Sequence, residues 1–173
     1  LRDMGVGISV SSLRVHPLSE VLIEALAQSG SRSITLAPEA GSERMRRKIG
    51  KGVTHEHVIA ATEMVARYDY ETLKLYFMVG LPDERDEDVA GIIDLVEELK
   101  AIFRRNIVVN VTPFVPKAHT PFQRALMADA DVLEKRLSYL RDRLRQLRVE
   151  MRAESVDDAV TQAVLARGDR QVG

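Results

Sequence analysis

The chain alternates short runs of apolar, mainly β-branched residues with longer segments in which apolar residues recur every three or four positions. The short runs are typical of buried strands, and the longer segments are typical of amphipathic helices. Strands are predicted at residues 5–11, 33–37, 73–79 and 107–112. Helices are predicted at residues 18–29, 43–48 and 54–68, and from the acidic turn at 83–88 to about residue 103.

Strands separated by helices pair in parallel through right-handed crossovers, so the pattern predicts an α/β protein. Two architectures satisfy it: an open doubly wound sheet, and part of a (β/α) barrel. In both architectures ligands bind at the carboxyl ends of the strands. The residues that follow each predicted strand are therefore the candidates for function.

The chain changes character after a loop that carries three prolines, at residues 113–121. Asp131 and Glu134 have the spacing of a capping box, which predicts a long helix reaching about Arg152. A second start signal at residues 155–158 predicts a last helix that ends near residue 168. We expect two units: a barrel part at 1–127, and at 128–173 a helical extension that leads to a following domain.

Composition narrows the classes of protein. At 173 residues the chain fits one domain, and 45% hydrophobic and 29% charged residues are ordinary for an α/β protein. The formal net charge of −1 argues against a dedicated nucleic-acid or membrane-surface binder. No apolar run approaches the roughly 18–20 residues that span a bilayer, and no signal peptide precedes the first strand. We expect a cytoplasmic protein with no membrane partner.

The long C-terminal helix is basic on its polar face, where five arginines interleave with leucines; the arginines are Arg136, Arg141, Arg143, Arg145 and Arg148. The leucine spacing favours an amphipathic helix docked on the barrel or on a partner. Contact with RNA is the alternative interpretation. An upstream basic cluster, Arg44, Arg46, Arg47, Lys48 and Lys51, is interpreted mainly as a solvated helix face.

The chain contains no cysteine, which excludes disulfides and cysteine-ligated zinc or iron–sulfur sites within these residues. The four histidines are scattered, and His55 and His57 point in different directions on a helix, so no metal site is predicted. The chain does not begin with Met. We therefore expect it to be part of a longer polypeptide.

The second predicted strand is followed by Glu39, then by Gly41 and Ser42 at a helix start. An ionised glutamate only accepts hydrogen bonds and could take both hydroxyls of a ribose. The amides at the helix start could hold an anionic or hydroxylic group. A plain N-cap beside a solvent-facing glutamate explains the same residues.

The next two strand ends add further candidates. Gly80 ends the third strand and permits close approach of a ligand, for example an adenine along the edge at Phe77–Met78. Lys117 and His119 follow the fourth strand on a loop stiffened by prolines, where substrate contacts are common. A structural turn and a packing loop are the respective alternatives.

Four runs in this order resemble one family: Leu36-Ala-Pro-Glu-Ala-Gly-Ser-Glu-Arg-Met, Lys51-Gly-Val-Thr, Lys74-Leu-Tyr-Phe-Met-Val-Gly-Leu-Pro and Thr112-Pro-Phe-Val-Pro-Lys-Ala-His-Thr-Pro-Phe. Over roughly residues 9–123 the chain is similar to radical S-adenosylmethionine (SAM) enzymes. More narrowly, it resembles the large members that carry an N-terminal cobalamin-binding-type domain. The resemblance implies a six-stranded partial (β/α) barrel, of which this chain holds the last four strands followed by C-terminal helices.

The resemblance also implies a cofactor set and a site. A 4Fe-4S cluster, bound by a C-x-x-x-C-x-x-C loop, chelates SAM and cleaves it to a 5′-deoxyadenosyl radical. Glu39 matches the ribose position and Lys51 a position that meets the SAM carboxylate, with Arg44 as a competitor. Further cofactor-binding matches are Ser11, Arg14, Ser42, Phe77, Met78 and Gly80, and Lys117 and His119 are candidates for substrate contact.

The cluster loop and the first two strands of that family are missing from this sequence. Either the sequence begins after them, which the missing Met favours, or the protein is a degenerate relative. We therefore expect no catalytic residue here, and an active enzyme only when an N-terminal remainder of the same polypeptide is present. A flavodoxin or ferredoxin is the expected reductant, and cobalamin use depends on an upstream domain. The alternatives are a non-enzymatic RNA- or protein-binding module, and another (β/α) enzyme that holds a phosphate at Gly41–Ser42.

Overall fold

The computed structural model describes residues 10–168. In chain order its elements are α1 Glu20–Gln28, β1 Ser33–Glu39, α2 Glu43–Lys48, α3 His55–Ala66, β2 Thr72–Val79, α4 Asp86–Ile102, β3 Asn106–Pro113, α5 Ala130–Gln146, β4 Glu150–Ala153 and α6 Val156–Arg167. No helix in this part of the chain is long and apolar enough to cross a membrane.

The four strands form one parallel sheet in the order β1-β2-β3-β4. The α/β class and the parallel pairing predicted from the sequence are thus confirmed. Before α1 the chain runs beside β1, where Leu13 forms a parallel bridge with Leu36. The strand predicted at residues 5–11 lies almost entirely outside the described residues.

The C-terminal prediction needs a correction at the end of its long helix. Helix α5 ends at Gln146 instead of continuing to about Arg152, and β4 follows it and pairs with β3. Arg148 adopts a left-handed φ of 55°, which stops the helix, and the amide of Val149 donates back to the carbonyl of Leu144 at 2.9 Å. Beyond that turn, buried Val149 and half-buried Met151 alternate with exposed residues, which is the period of a strand.

The helix starts predicted at Ser42, Thr54 and Ser155 are confirmed, and the one predicted at Asp131 is wrong. Thr54 caps α3, with its side chain and that of His57 bonded reciprocally to the backbone, and Ser155 caps α6. Helix α5 begins after Asp129, so Asp131 lies inside the helix and forms no capping box with Glu134. The domain boundary predicted at residue 127 stays a prediction. Strand β4, which lies beyond it, pairs with β3 in the same sheet.

The two faces of the sheet differ. On one face alternate residues of β1, β2 and β3 are almost fully buried, such as Leu73, Leu75 and Phe77 of β2, in a main core shared with α1, α3, α4 and α5. The opposite face carries Tyr76 and Asn110 in register, and Tyr76 is 39% exposed. Helices on one face only are expected of a barrel wall, whereas an open doubly wound sheet is covered on both faces.

Candidate cofactor site at the strand ends

Glu39 ends β1 with a left-handed φ of 72°. Its carboxylate lies 2.8 Å from the Nζ of Lys51, twelve residues on in the loop between α2 and α3. The two side chains are 21% and 36% exposed, so the pair is partly open to solvent. The structure therefore brings together the two residues that the sequence singled out for the ribose and the carboxylate of SAM.

The loop that carries Lys51 is held by Arg46, whose side chain is 1% exposed. Its Nε donates to the carbonyl of Val53 at 2.9 Å, and one terminal nitrogen donates to the carbonyls of Ala40 and Gly41 at 3.0 and 2.7 Å. Burial lowers the pKa of Arg46, against a smaller opposite effect of a nearby acidic residue. Interpreting this residue as part of a solvated basic face was wrong, because it satisfies three carbonyls around the loop.

Gly41 is where the segment after β1 meets α4. A Cβ built on Gly41 would stand 2.3 Å from the backbone nitrogen of Ile92 and 2.6 Å from the carbonyl oxygen of Asp88. No side chain fits in that space, so the glycine is required by backbone contact. The contact fixes the start of α2 against α4, just beyond Glu39.

Ser42 and Arg44 are both bonded to Asp88 of α4. Ser42 Oγ accepts from the Met45 amide at 3.1 Å and donates to Asp88, while Arg44 donates to both oxygens of the same carboxylate. Desolvation raises the pKa of Asp88, but the hydrogen bonds from Arg44 and Ser42 outweigh it and hold that pKa below its usual range. These bonds clamp α2 onto α4, so both side chains already have internal partners.

Arg14 joins Lys51 in lining a pocket of about 230 Å³ at the end of β1. His16 lies in the same pocket, and its ring stacks on that of His57 with centroids 3.7 Å apart. Ser11 lines a different cleft, along the outer edge of β1. Of the two residues predicted from the first strand, the structure thus brings Arg14, and not Ser11, to the Lys51 pocket.

Phe77, Met78 and Gly80 border the end of β2 in different ways. The Phe77 side chain is 1% exposed and belongs to the main core, so only its backbone faces a ligand at the sheet edge. Met78 points the other way and lines a cleft of about 400 Å³. Gly80 adopts φ 82°, and a Cβ on it would stand 2.5 Å from Leu133 of α5.

Of the two predicted substrate residues, Lys117 lines a cleft and His119 lies exposed on the same loop. Lys117 lines the same cleft as Met78, together with Thr112 of β3 and Glu154, which follows β4. His119 is exposed with φ 61°, and its amide donates to the Gln123 side chain at 3.3 Å. The cleft therefore includes one of the two predicted residues and gains a carboxylate that the sequence did not suggest.

Glu84 and Arg136 form an ion pair beside Gly80 that the sequence prediction missed. Their side chains are 2% and 12% exposed, with a nitrogen–oxygen distance of 2.8 Å. The same carboxylate oxygen of Glu84 accepts from the Gly80 amide at 2.6 Å. Desolvation raises the pKa of Glu84 to about 7, against the lowering effects of the Gly80 amide and Arg136.

Comparisons with known proteins identify the family of this chain. The sequence model of the Radical SAM superfamily matches residues 1–96, and the chain belongs to that superfamily. An uncharacterized protein of Methanocaldococcus jannaschii is 36% identical over 173 residues, which are 99% of this chain and 37% of that protein. The predicted partial radical SAM barrel, with parallel strands and C-terminal helices, is thus confirmed as a fold.

Two further relatives are called tRNA-2-methylthio-N(6)-dimethylallyladenosine synthase. The one from Pelotomaculum thermopropionicum is 31% identical over 163 residues, covering 91% of this chain and 35% of that protein. The one from Natranaerobius thermophilus is 30% identical over 90 residues, covering 49% of this chain and 20% of that protein. The chain thus spans about a third or less of the length of these curated relatives.

Proposed function

We propose that this chain is the SAM-binding half of the barrel of a radical SAM enzyme. The observation that carries the proposal is the Glu39–Lys51 pair at the end of β1. Glu39 supplies acceptors for two hydroxyl groups, and Lys51 supplies a cation for a carboxylate. SAM carries both a ribose and an amino-acid carboxylate. When such a ligand breaks the ion pair, its ribose hydroxyls donate to Glu39 and its carboxylate accepts from Lys51.

The geometry favours Lys51 over Arg44 for the carboxylate. Arg44 is bonded to both carboxylate oxygens of Asp88 and to the backbone carbonyl of Asp83. Lys51 is paired with Glu39, the residue proposed to bind the ribose, so the ligand itself replaces its partner. Arg14 lines the same pocket as Lys51 and is a second cation available to the carboxylate of the ligand. Releasing Arg44 would leave the buried carboxylate of Asp88 without its charge partner, which is costly.

The residues of this chain do not fit the iron–sulfur cluster, because none of the 173 is a cysteine. The cluster supplies the electron for reductive cleavage of SAM, and we propose that its ligands lie in an N-terminal part of the same polypeptide. This chain is then inactive on its own. A flavodoxin or ferredoxin as reductant, a cytoplasmic location and an upstream cobalamin-binding-type domain belong to the same proposal.

The experiment compares the 173-residue chain with a longer protein that includes the upstream sequence. We expect the chain alone to hold no iron and to bind SAM negligibly by isothermal titration. After anaerobic reconstitution the longer protein should hold four irons per chain and release 5′-deoxyadenosine with dithionite. A longer protein that carries the three cysteines and still neither holds iron nor cleaves SAM would falsify the proposal.

RNA modification is a second candidate for the whole protein, and the similarity to the two tRNA-modifying relatives supports it. The basic face of α5 is poorly placed to present such a substrate. Helix α5 returns the chain from the end of β3 to the start of β4, so Arg141 and Arg145 lie toward the amino ends of the strands. The test is a gel shift with tRNA in increasing salt, compared between the wild-type chain and its charge-reversed variant R141E/R145E.

A further inference from the structure

Gly80, at the end of β2, packs against Leu133 of helix α5, which lies outside the matched region 1–96. The side chain of Leu133 and that of Ala128 stand where a Cβ on Gly80 would go, at 2.5 and 3.3 Å. The strand end is thus packed against the C-terminal extension. An element that the family comparison does not cover therefore determines the shape of one edge of the site.

The polar contacts at Gly80 also lead to α5. The amide of Gly80 donates to Glu84, and the same oxygen accepts from Arg136 of α5. A second nitrogen of Arg136 donates to the backbone carbonyl of Glu84 at 2.9 Å. Arg136 therefore fixes both the carboxylate that holds Gly80 and the backbone of the turn that carries this carboxylate.

We propose that Arg136 is a positioning residue for the cofactor edge: by holding Glu84 it orients the Gly80 backbone that borders SAM. This inference rests on the proposed function. The side chain of Arg136 is 12% exposed and is bonded to Glu84, so we place it outside direct contact with the ligand. A lysine in its place would keep the charge but could not donate in a fixed fork to both the carboxylate and the backbone carbonyl of Glu84.

The alternative explanation is that Arg136 only stabilises the packing of α5. A buried pair whose arginine is removed leaves an uncompensated carboxylate, so a loss of stability is expected in either case. The burial that raises the pKa of Glu84 to about 7 makes this carboxylate dependent on its partners. The test therefore has to separate the position of Gly80 from the stability of the helix.

The variants are R136M and R136K, with two controls on the same helix. Leu140 is a fully buried core residue of α5, so L140V weakens its packing without touching the Gly80 turn. Arg141 is exposed, so R141M removes a charge at the surface. The first readout is hydrogen exchange at the Gly80 amide, measured by NMR on the 173-residue chain.

We expect the exchange rate of Gly80 to rise about tenfold in R136M and less in R136K, because the hydrogen-bonded amide opens more often. It should stay within about twofold of wild type in L140V and R141M. An unchanged exchange rate of the Gly80 amide in R136M overturns the inference. So does a rise in L140V that equals the rise in R136M when the two variants have the same melting temperature.

The second readout is SAM affinity of the longer, iron-loaded protein. We expect R136M to raise the dissociation constant about tenfold while L140V stays near wild type, since only the first disturbs a preorganised site. Equal SAM affinity in R136M and wild type overturns the positioning role while leaving the proposed function intact. A wild-type protein that binds no SAM overturns the proposed function itself, and this inference with it.

Discussion

A Cβ built on Gly41 would stand 2.7 Å from the carbonyl carbon of Gly91, so the segment after β1 lies directly against the backbone of α4. The reverse contact is looser, because a Cβ on Gly91 would stand 3.4 Å from the carbonyl carbon of Gly41. The two glycines face each other but do not tolerate substitution equally. This asymmetry gives a matched pair of variants for testing how tightly the site is packed.

We expect G41A to lower the free energy of unfolding by about 2–3 kcal/mol, because helix α4 or the chain around Gly41 must move to admit the methyl group. We expect G91A to leave the free energy of unfolding nearly unchanged. Alanine is more favourable than glycine in a helix interior by up to about 1 kcal/mol, and this gain offsets the tight contact that the new methyl group makes. Urea unfolding followed by circular dichroism measures both. Equal losses in the two variants would contradict the asymmetry.

Arg46 and Arg47 are neighbours in sequence with opposite surroundings. Arg46 is buried among three carbonyls, whereas Arg47 is exposed and paired with Glu43 one turn away. We expect R46M to cost about 2–4 kcal/mol of stability, because it leaves buried carbonyls without donors. For R47M we expect less than about 0.5 kcal/mol. Urea midpoints at one pH compare the two, and a cost for R47M as large as that for R46M would refute this assignment.

The sequence predicted the order of most of the elements and singled out Glu39 and Lys51 for one site, for identifiable reasons. Strands β1 to β3 are continuous apolar runs bounded by turn residues, and these signals are local. Glu39 was indicated by its place at a strand end and Lys51 by the resemblance to a family, whereas the ion pair between them was not predicted. The loop that carries Lys51 is held by Arg46 of α2, a buried charge that composition alone makes improbable.

What the sequence did not predict depends on contacts between distant segments. The bond between Glu84 and Arg136 joins residues 52 positions apart, and each alone resembles a surface charge on a helix or turn. Strand β4 has only four residues, and the leucine spacing of α5 continues to Leu147 and hides the end of the helix. The left-handed turn at Arg148 has no glycine to mark it. In each case contacts between distant segments produce a structure that the local sequence pattern does not predict.

Lys51 gives a prediction on the ligand side of the site. In the longer, iron-loaded protein we expect K51M to weaken SAM binding about tenfold, because the cation for the carboxylate is lost. E39Q should weaken binding less, since an amide oxygen still accepts one hydroxyl. Glu63, exposed on α3, supplies the control E63Q, which should match wild type. Isothermal titration with SAM measures all three, and unchanged affinity in K51M would remove Lys51 from the site.

The buried carboxylates Glu84 and Asp88 should give the stability of the chain opposite dependences on pH. The pKa of Glu84 is raised from 4.5 to about 7, so between these values the folded chain holds a proton that the unfolded chain has lost. Its contribution is present at low pH and is lost as the pH rises from about 4.5 to 7, by up to about 3 kcal/mol. The pKa of Asp88 is lowered, so its contribution is present above its ordinary pKa and is lost as the pH falls below it.

Urea unfolding of wild type, E84Q and D88N from pH 3.5 to 8 separates the two effects. E84Q should lose the decline in stability between about pH 4.5 and 7, because no proton leaves that side chain. D88N should be less stable than wild type above pH 5 and should converge with it in acid. The charge of Asp88 contributes to the raised pKa of Glu84, so the D88N difference curve also contains a small shift of the Glu84 transition to lower pH. The E84Q difference curve reports the Glu84 transition itself. If E84Q kept the wild-type slope between pH 4.5 and 7, Glu84 would already be ionised throughout that range, and Arg136 rather than burial would control its charge.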